Sequence, residues 1–349
     1  MDKKYFLVAL LLIAVMFVSG CTSNAKQTAS QVAAVGGSQG LALTFMPGQP
    51  PAEVYENNGF QIAVNVENKG EFAIDSANPA KIFLTGIDPT SFELDPQGEQ
   101  DIDKLAAVNK VGSSTIPGGQ KPVIWKAKRA NVPVTSTFTA QALAIYRYQT
   151  NAIATVCLKE NIYQQTSGGT ELCKLSEVKA VQNLGAPVKV SSIEEMPTGF
   201  KIKISNVGGG APFVKEDGSY TATSDSNIDK YNELNKVKIK ASIPHVTVEC
   251  PSDELMLVNG AAETFCQADL TAPQEYTDLL TVTLDYGYRQ MTSTTFKVTH
   301  VPGGGGGSGA VKGQCSDVNA TKILNALGGC DSLDKTKYLT TWNDCNCGA

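Results

Sequence analysis

Nine cysteines carry most of the chemistry available to this chain of 349 residues. Cys21 stands apart. The other eight are Cys157 with Cys173, Cys250 with Cys266, and a C-terminal set of Cys315, Cys330, Cys345 and Cys347. A thiol can be a nucleophile, a metal ligand or half of a cross-link, and spacing and compartment decide which. The spacing lacks the paired C-x-x-C knuckles of common zinc sites. Cys157 and Cys173 lie sixteen positions apart, as do Cys250 and Cys266. In an oxidising compartment each spacing suits a local bridge, worth about 3 kcal/mol on the chain-entropy account. Cys345 and Cys347 are too close to pair comfortably with each other, so each is expected to take one of Cys315 and Cys330. The spacing leaves open which takes which.

Other reactive chemistry is sparse. The two histidines, His245 and His300, are isolated in the sequence. Gly208-Gly209-Gly210 lacks the Lys-Ser/Thr and helix of a phosphate loop. Two acidic loops could offer oxygen ligands to calcium, through Asp95, Glu99, Asp101 and Asp103 and through Asp217, Asp225 and Asp229. Neither has EF-hand spacing, and both are read as solvated charge. The sequence therefore predicts no enzyme, no metal site and no cofactor. A net charge of −5 without a basic face argues against a nucleic-acid partner.

The compartment is written in the first stretch. Lys3 and Lys4 precede an apolar run from Tyr5 to Val18, shorter than a spanning helix needs, followed by Ser19, Gly20 and Cys21. Val18-Ser19-Gly20-Cys21 resembles a lipobox, the signal of exported lipoproteins. The resemblance implies a signal peptide over residues 1–21, lipidation of Cys21, and a chain anchored at the extracellular face of the cell membrane. Two acyl chains on Cys21 would suffice for stable anchoring.

The remaining elements follow in order. Residues 22–40 are rich in Ser, Thr, Ala, Gln and Gly and form a tether of roughly 25 Å as a random coil. From Leu41 apolar residues recur at every second position, as in Ile62, Val64 and Val66, with Gly and Pro between the runs. Further strands are expected near Lys81–Thr85, Val123–Ala127, Thr137–Tyr148 and Ala152–Leu158, with a short helical turn within Ile102–Asn109. The second half repeats the first. A shift of 138 carries Ile62, Val64, Val66, Asn68 and Gly70 onto Phe200, Ile202, Ile204, Asn206 and Gly208. A shift of 140 carries Trp125 onto Phe265, Pro133 onto Pro273, Tyr146 onto Tyr286 and Tyr148 onto Tyr288. This predicts an all-β fold with two homologous β-sandwiches in tandem, over 41–185 and 186–300. Each Tyr-X-Tyr is expected at a strand end, its rings buried and its hydroxyls on nearby backbone, as in a tyrosine corner.

These motifs support a second resemblance. Val64-Asn65-Val66-Glu67-Asn68-Lys69-Gly70 with Tyr146-Arg147-Tyr148, and Ile202-Lys203-Ile204-Ser205-Asn206-Val207-Gly208 with Tyr286-Gly287-Tyr288, resemble the immunoglobulin-like modules of archaeal surface-layer-related and CARDB-type cell-adhesion proteins. The resemblance implies seven-stranded sandwiches at a cell surface and carries over no catalytic residue.

By parity Cys157 faces outward, between the core positions Val156 and Leu158, and Cys266 follows a core position at Phe265. Residues 301–313 form a Gly-rich linker. Residues 314–349 form a small Cys-rich helical module. Ala320, Ile323, Leu324 and Leu327 give its first helix one apolar face, with Ser316 or Asp317 as cap. Leu333, Tyr338, Leu339 and Trp342 lie on a second helix, capped by Asp331 or Ser332. So short a segment needs its cysteines as staples. The order of anchor, tether, sandwiches, hinge and stapled head suggests a structural, adhesive or binding role, with a surface protein or glycan as partner. A solute-binding lipoprotein serving a transporter would instead show two α/β lobes, against the strand-only pattern.

Overall fold

The computed structural model describes residues 34–130, 132–161, 173–221, 224–301, 315, 318–345 and 347. Alternating sequence becomes largely alternating burial in β3, β9 and β14. In β3, Ile62, Val64 and Val66 are fully buried, while Gln61 is exposed and Asn65 and Glu67 are half-buried. The first-half strands are β1 (Leu41–Phe45), β2 (Glu53–Tyr55), β3 (Phe60–Asn68), β4 (Ala80–Thr85), β5 (Leu94–Asp95) and β6 (Glu99–Ile102). They continue with β7 (Asn109–Val111), β8 (Ser114–Ile116), β9 (Gln120–Ala127), β10 (Ser136–Leu158), β11 (Val178–Lys179) and β12 (Val181–Asn183). The second half holds β13 (Val188–Met196), β14 (Gly199–Asn206), β15 (Ala211–Phe213) and β16 (Lys236–Ser242). After these come β17 (Val248–Glu249), β18 (Glu254–Met256), β19 (Ala261–Ala268) and β20 (Tyr276–Thr299). The fold is all-β, with a small disulfide-stapled helical region at its C-terminal end.

Two small sheets, β1-β3-β9-β5 and β11-β13-β14-β19-β17, pack against one nine-stranded sheet. That large sheet is built on β10 and β20, which pair antiparallel over all 23 residues of β10, from Ser136↔Val298 to Leu158↔Tyr276. Residues 136–147 of β10 and 287–299 of β20 lie on the first-sandwich side. There Phe138 and Phe296 pack with Phe60 and Phe92, ring centroids 5.0–6.0 Å apart. The other ends of both strands lie on the second-sandwich side. Each sandwich is thus completed by a strand segment from the other half of the sequence. β12, the last strand before the Gly185/Ala186 boundary, pairs with β10 at Ala152–Ala154, on the second-sandwich side.

Three local expectations change. Thr137–Tyr148 and Ala152–Leu158 are one unbroken strand, because Tyr148 through Ala152 stay paired to β20. The tyrosines therefore sit at the middle of the ladder, not at a rim. Ile102–Asn109 contains no helix: Ile102 closes β6, Leu105 bridges Ile74, and Asn109 opens β7. In β19 the buried positions are Thr264, Cys266 and Ala268, while Phe265 is half-exposed. Ile62 pairs with Trp125, and Phe200, its repeat counterpart, pairs with Cys266. The true counterpart of Trp125 is thus Cys266, one residue beyond Phe265, and a one-residue slip exchanges the faces of a strand.

Tyr146 pairs with Tyr288 and Tyr148 with Tyr286, all four rings at most 1% exposed. Their centroids lie 5.9–6.3 Å apart around the quartet. Between them Arg147 stands opposite Gly287, its own repeat counterpart, so an approximate two-fold passes through this point. Buried hydroxyls need partners. Tyr146 Oη accepts from Leu41 N–H at 3.0 Å and Tyr286 Oη from Val188 N–H at 3.3 Å, at the starts of β1 and β13. Tyr148 donates to Gly185 O at 2.5 Å, and Tyr288 accepts from Gly210 N–H at 2.9 Å. The two Asn-X-Gly turns use one device: each Asn Oδ1 accepts from the Gly N–H two residues on, 3.0 Å for Asn68 and 3.2 Å for Asn206. A Cβ at Gly70 would lie 2.0 Å from Tyr148 Oη, and one at Gly208 2.3 Å from Tyr288 Oη. Gly70→Ala should therefore cost about 2 kcal/mol by overpacking. Combining it with Tyr148→Phe should recover part of that cost, a non-additivity measurable by urea denaturation.

Candidate functional site

The cysteines are the residues that the structure brings together chemically. Cys157 bonds Cys173, Cys250 bonds Cys266, Cys315 bonds Cys345 and Cys330 bonds Cys347. The last two pairings are the choice that spacing left open. Cys21 lies outside the described residues. The first two bridges both sit at the second sandwich's outer end. Cys157 is one residue from the last pair of the β10–β20 ladder, and Cys266 pairs with Phe200 beside the Gly199 turn. Cys157 points away from the core shared by Val156 and Leu158, as parity predicts, yet it is fully buried.

A buried ion pair adjoins that bridge. Glu195, on β13, is fully buried; its Oε1 accepts from Cys157 N–H at 2.8 Å and its Oε2 lies 2.7 Å from Lys179 Nζ. Lys179, on β11, also donates to Lys174 O at 2.6 Å and Glu177 Oε1 at 2.8 Å. Burial pushes the Glu195 carboxyl above its ordinary value, against the opposing pull of Lys179 and the Cys157 N–H. Nearby, Glu275 Oε1 accepts from Cys173 N–H at 3.0 Å. Cys157, Cys173 and Glu275 form a cluster of metal-type ligands among the described residues. With the two sulfurs joined to each other, thiolates are not on offer there.

The acidic loops do not converge on a cation site among the described residues. Asp229 accepts from Tyr231 N–H at 2.8 Å and from the Asn232 amide at 2.9 Å, and these bonds hold its carboxyl below the ordinary range. Asp225 is held by Arg289, Asp217 by Ser219 N–H, and Glu99 and Asp101 by Lys81. Asp217 and Asp229 thus organise their own turns, while Asp225, Glu99 and Asp101 are engaged in ion pairs with distant residues. His300 Nδ1 lies 2.6 Å from Glu56, and His245 is exposed in a turn at φ 62°.

Two further features bear on recognition. An open groove of about 640 Å³ at β1 is lined by Phe45, Met46, Pro47 and Pro122 with the amides of Asn65 and Gln120. Apolar surface with neutral amides suits an uncharged ligand. The C-terminal region packs α1 (Val318–Ala326) and α2 (Leu339–Asp344) around Ala320, Leu324, Leu333 and its four cysteines. Ile323, Leu327, Tyr338 and Trp342 pack half-buried against this core. The second helix is shorter than expected, beginning at Leu339. Asp334 arrests the chain first, in a turn where its Oδ1 accepts from Thr336 N–H at 2.9 Å. Ser316 and Asp317 lie outside the described residues, and no described helix is long and apolar enough to cross a membrane.

No family model matches the chain, and no curated protein does. Among solved structures, it is similar to the native conformation of E. coli alpha-2-macroglobulin at 12% identity and a TM-score of 0.14, covering 74% of this chain and 17% of that one. It is also similar to the collagen adhesin of S. aureus at 10% identity and a TM-score of 0.12, covering 75% of this chain and 93% of that one. Superpositions this loose carry no argument about fold or function.

Burial of Glu195 sets a pH dependence. With its value raised, the folded chain keeps a proton that the unfolded chain has released. The resulting stabilisation is full below the ordinary Glu value and is lost as pH rises through the raised one. Glu195→Gln should remove this slope, so that wild type loses melting temperature relative to the variant as pH climbs through that window. Glu195→Ala leaves the buried Cys157 N–H without its acceptor and removes one of the three partners of Lys179, and should cost about 2 kcal/mol at neutral pH, measured by chemical denaturation.

Proposed function

We propose that this chain is an exported lipoprotein, held at the outer face of the cell membrane through Cys21. Its role is binding or adhesion, with the β body carrying the Cys315–Cys347 module as a head. The observation that carries this reading is a conjunction. Cys21 closes a short apolar leader, and all eight remaining cysteines are joined two by two, the state of thiols in an oxidising exterior. The described acidic and histidine side chains support it from the other side. They are engaged in turns and ion pairs, or lie exposed and apart, and do not converge on a common substrate position. The partner is a surface protein or a glycan, and the uncharged groove beside β1 is chemically suited to a neutral sugar.

Intact-mass measurement of protein extracted from membranes should show a lipid-modified Cys21 at the new N-terminus and eight oxidised cysteines. Cys21→Ser should move the protein from the membrane fraction to the soluble fraction. Full-length, unacylated protein with free thiols in the cytosol would overturn the proposal. Deletion of residues 314–349 should abolish capture of surface partners without changing membrane attachment. Undiminished capture would take the binding role away from the head.

A further inference from the structure

Both ends of the β body are fastened to the first sandwich. The chain enters at Val35 and Gly36, whose N–H groups donate to Glu71 at 2.9 and 3.0 Å. It continues through Leu41, which donates to Tyr146 at the centre of the ladder. It leaves at Thr299–Val301, at the ladder's outer end, where His300 N–H donates to Thr135 Oγ1 at 3.0 Å and Val301 N–H to Glu56 Oε2 at 3.3 Å. Between these points β1 and β20 run the same way, from centre to outer end, in opposite layers of the sandwich. Phe60, at the start of β3, packs beside Phe296 near that outer end. β3 therefore runs inward, and β1, antiparallel to it, runs outward with β20. The second half meets the entry segment at one point, Gly37 O accepting from Ala186 N–H at 3.2 Å, beside the centre of the ladder.

Tension between the two ends therefore pulls β1 toward the second sandwich and β20 away from it, each along its own length. The β1–β3 and β20–β10 hydrogen bonds are perpendicular to this pull, so each ladder must fail as a set. A hairpin opened from its end loses the same bonds one at a time.

We propose that the first sandwich is a force-bearing clamp loaded in shear, and that the second sandwich lies outside the load path. The proposal rests on the anchored reading for its biological purpose, because a body between a lipid anchor and an adhesive head carries whatever tension the head receives. Its mechanics belong to the folded chain itself and do not depend on lipid at Cys21. The weakest link is β1, held to β3 by five residue pairs. Rupture therefore begins with β1 sliding out, while the β10–β20 ladder still holds.

Single-molecule force spectroscopy on the full chain tests this in two geometries. In the first, handles are attached near the N-terminal end and at Val301→Cys. In the second they are attached at Val134→Cys and Val301→Cys, both at the ladder's outer end. Val134 and Val301 are 61% and 40% exposed, so the substitutions leave the core intact. The first geometry should rupture at about twice the force of the second or more, since one loads a ladder in shear and the other peels it. Equal or lower force in the first geometry would overturn the clamp. Reducing the Cys157–Cys173 and Cys250–Cys266 bridges should lengthen the chain released on full unfolding and leave the first rupture force unchanged. A fall in that force would place the second sandwich on the load path. Membrane release of Cys21→Ser is a separate readout, so failure of the clamp and failure of the anchored reading are distinguishable.

Discussion

The pairing of β10 with β20 along the whole of β10 is the constraint from which the rest of the structure follows. Two strands of this length cannot be shared by two sandwiches unless each contributes one half of its apolar face to each core. That is what their side chains do. Ala140, Ala142 and Ala144 with Phe296 and Val298 serve the first core, and Ala152, Ala154 and Val156 with Leu280 and Val282 serve the second. At the crossing point the four tyrosines fill the space where the two cores meet. Each ring buries a large apolar area, and each hydroxyl finds backbone at the entry or turn of a neighbouring segment. The quartet therefore couples the centre of the ladder to the starts of β1 and β13 and to both Asn-X-Gly turns.

The repeat is maintained where the ladder needs it and relaxed elsewhere. The Asn-Gly turns, the tyrosine pairs and the β3–β9 and β14–β19 pairings recur with the same geometry. The core filling differs. The first sandwich seats Trp125 opposite Ile62 and clusters four phenylalanines at its outer end. The second seats the Cys250–Cys266 bridge at the position equivalent to Trp125. A covalent staple and a large aromatic ring are two ways of securing the same inter-strand position. The second sandwich adds the Cys157–Cys173 bridge and the buried Lys179–Glu195 pair at its free end. That end is closed by two-residue edge strands, β11 and β17, which offer little backbone for pairing with another chain.

Chain connectivity gives this arrangement its functional interest. A tandem array read from the sequence would place anchor, first sandwich, second sandwich and head in a line. Strand exchange instead returns β20 to the first sandwich, so the linker toward the head departs from the sandwich that also receives the N-terminal segment. Spatial order then departs from sequence order, because β20 is long enough to traverse both cores. The end of the ladder from which the chain departs and the end that carries the Cys157–Cys173 bridge are different parts of one continuous sheet.

Much of this was legible from the residues. Period-two alternation marked the strands, because a half-buried sheet sorts side chains by parity. The repeat of Ile62-Val64-Val66 as Phe200-Ile202-Ile204 marked two sandwiches, because like faces are buried in each. The tyrosines were legible as core, and the cysteine spacings as local bridges, because both depend on side-chain chemistry near in sequence. What only the tertiary structure decided was long-range. That Thr137–Tyr148 and Ala152–Leu158 form one strand depends on β20 lying alongside to satisfy the backbone between them. That Cys266 and not Phe265 faces inward depends on the β14–β19 register. Which of Cys345 and Cys347 meets Cys315 depends on how α1 and α2 pack. Periodicity states which side of a strand is apolar. It does not state which partner the other edge meets, since backbone hydrogen bonding is the same for every residue but proline.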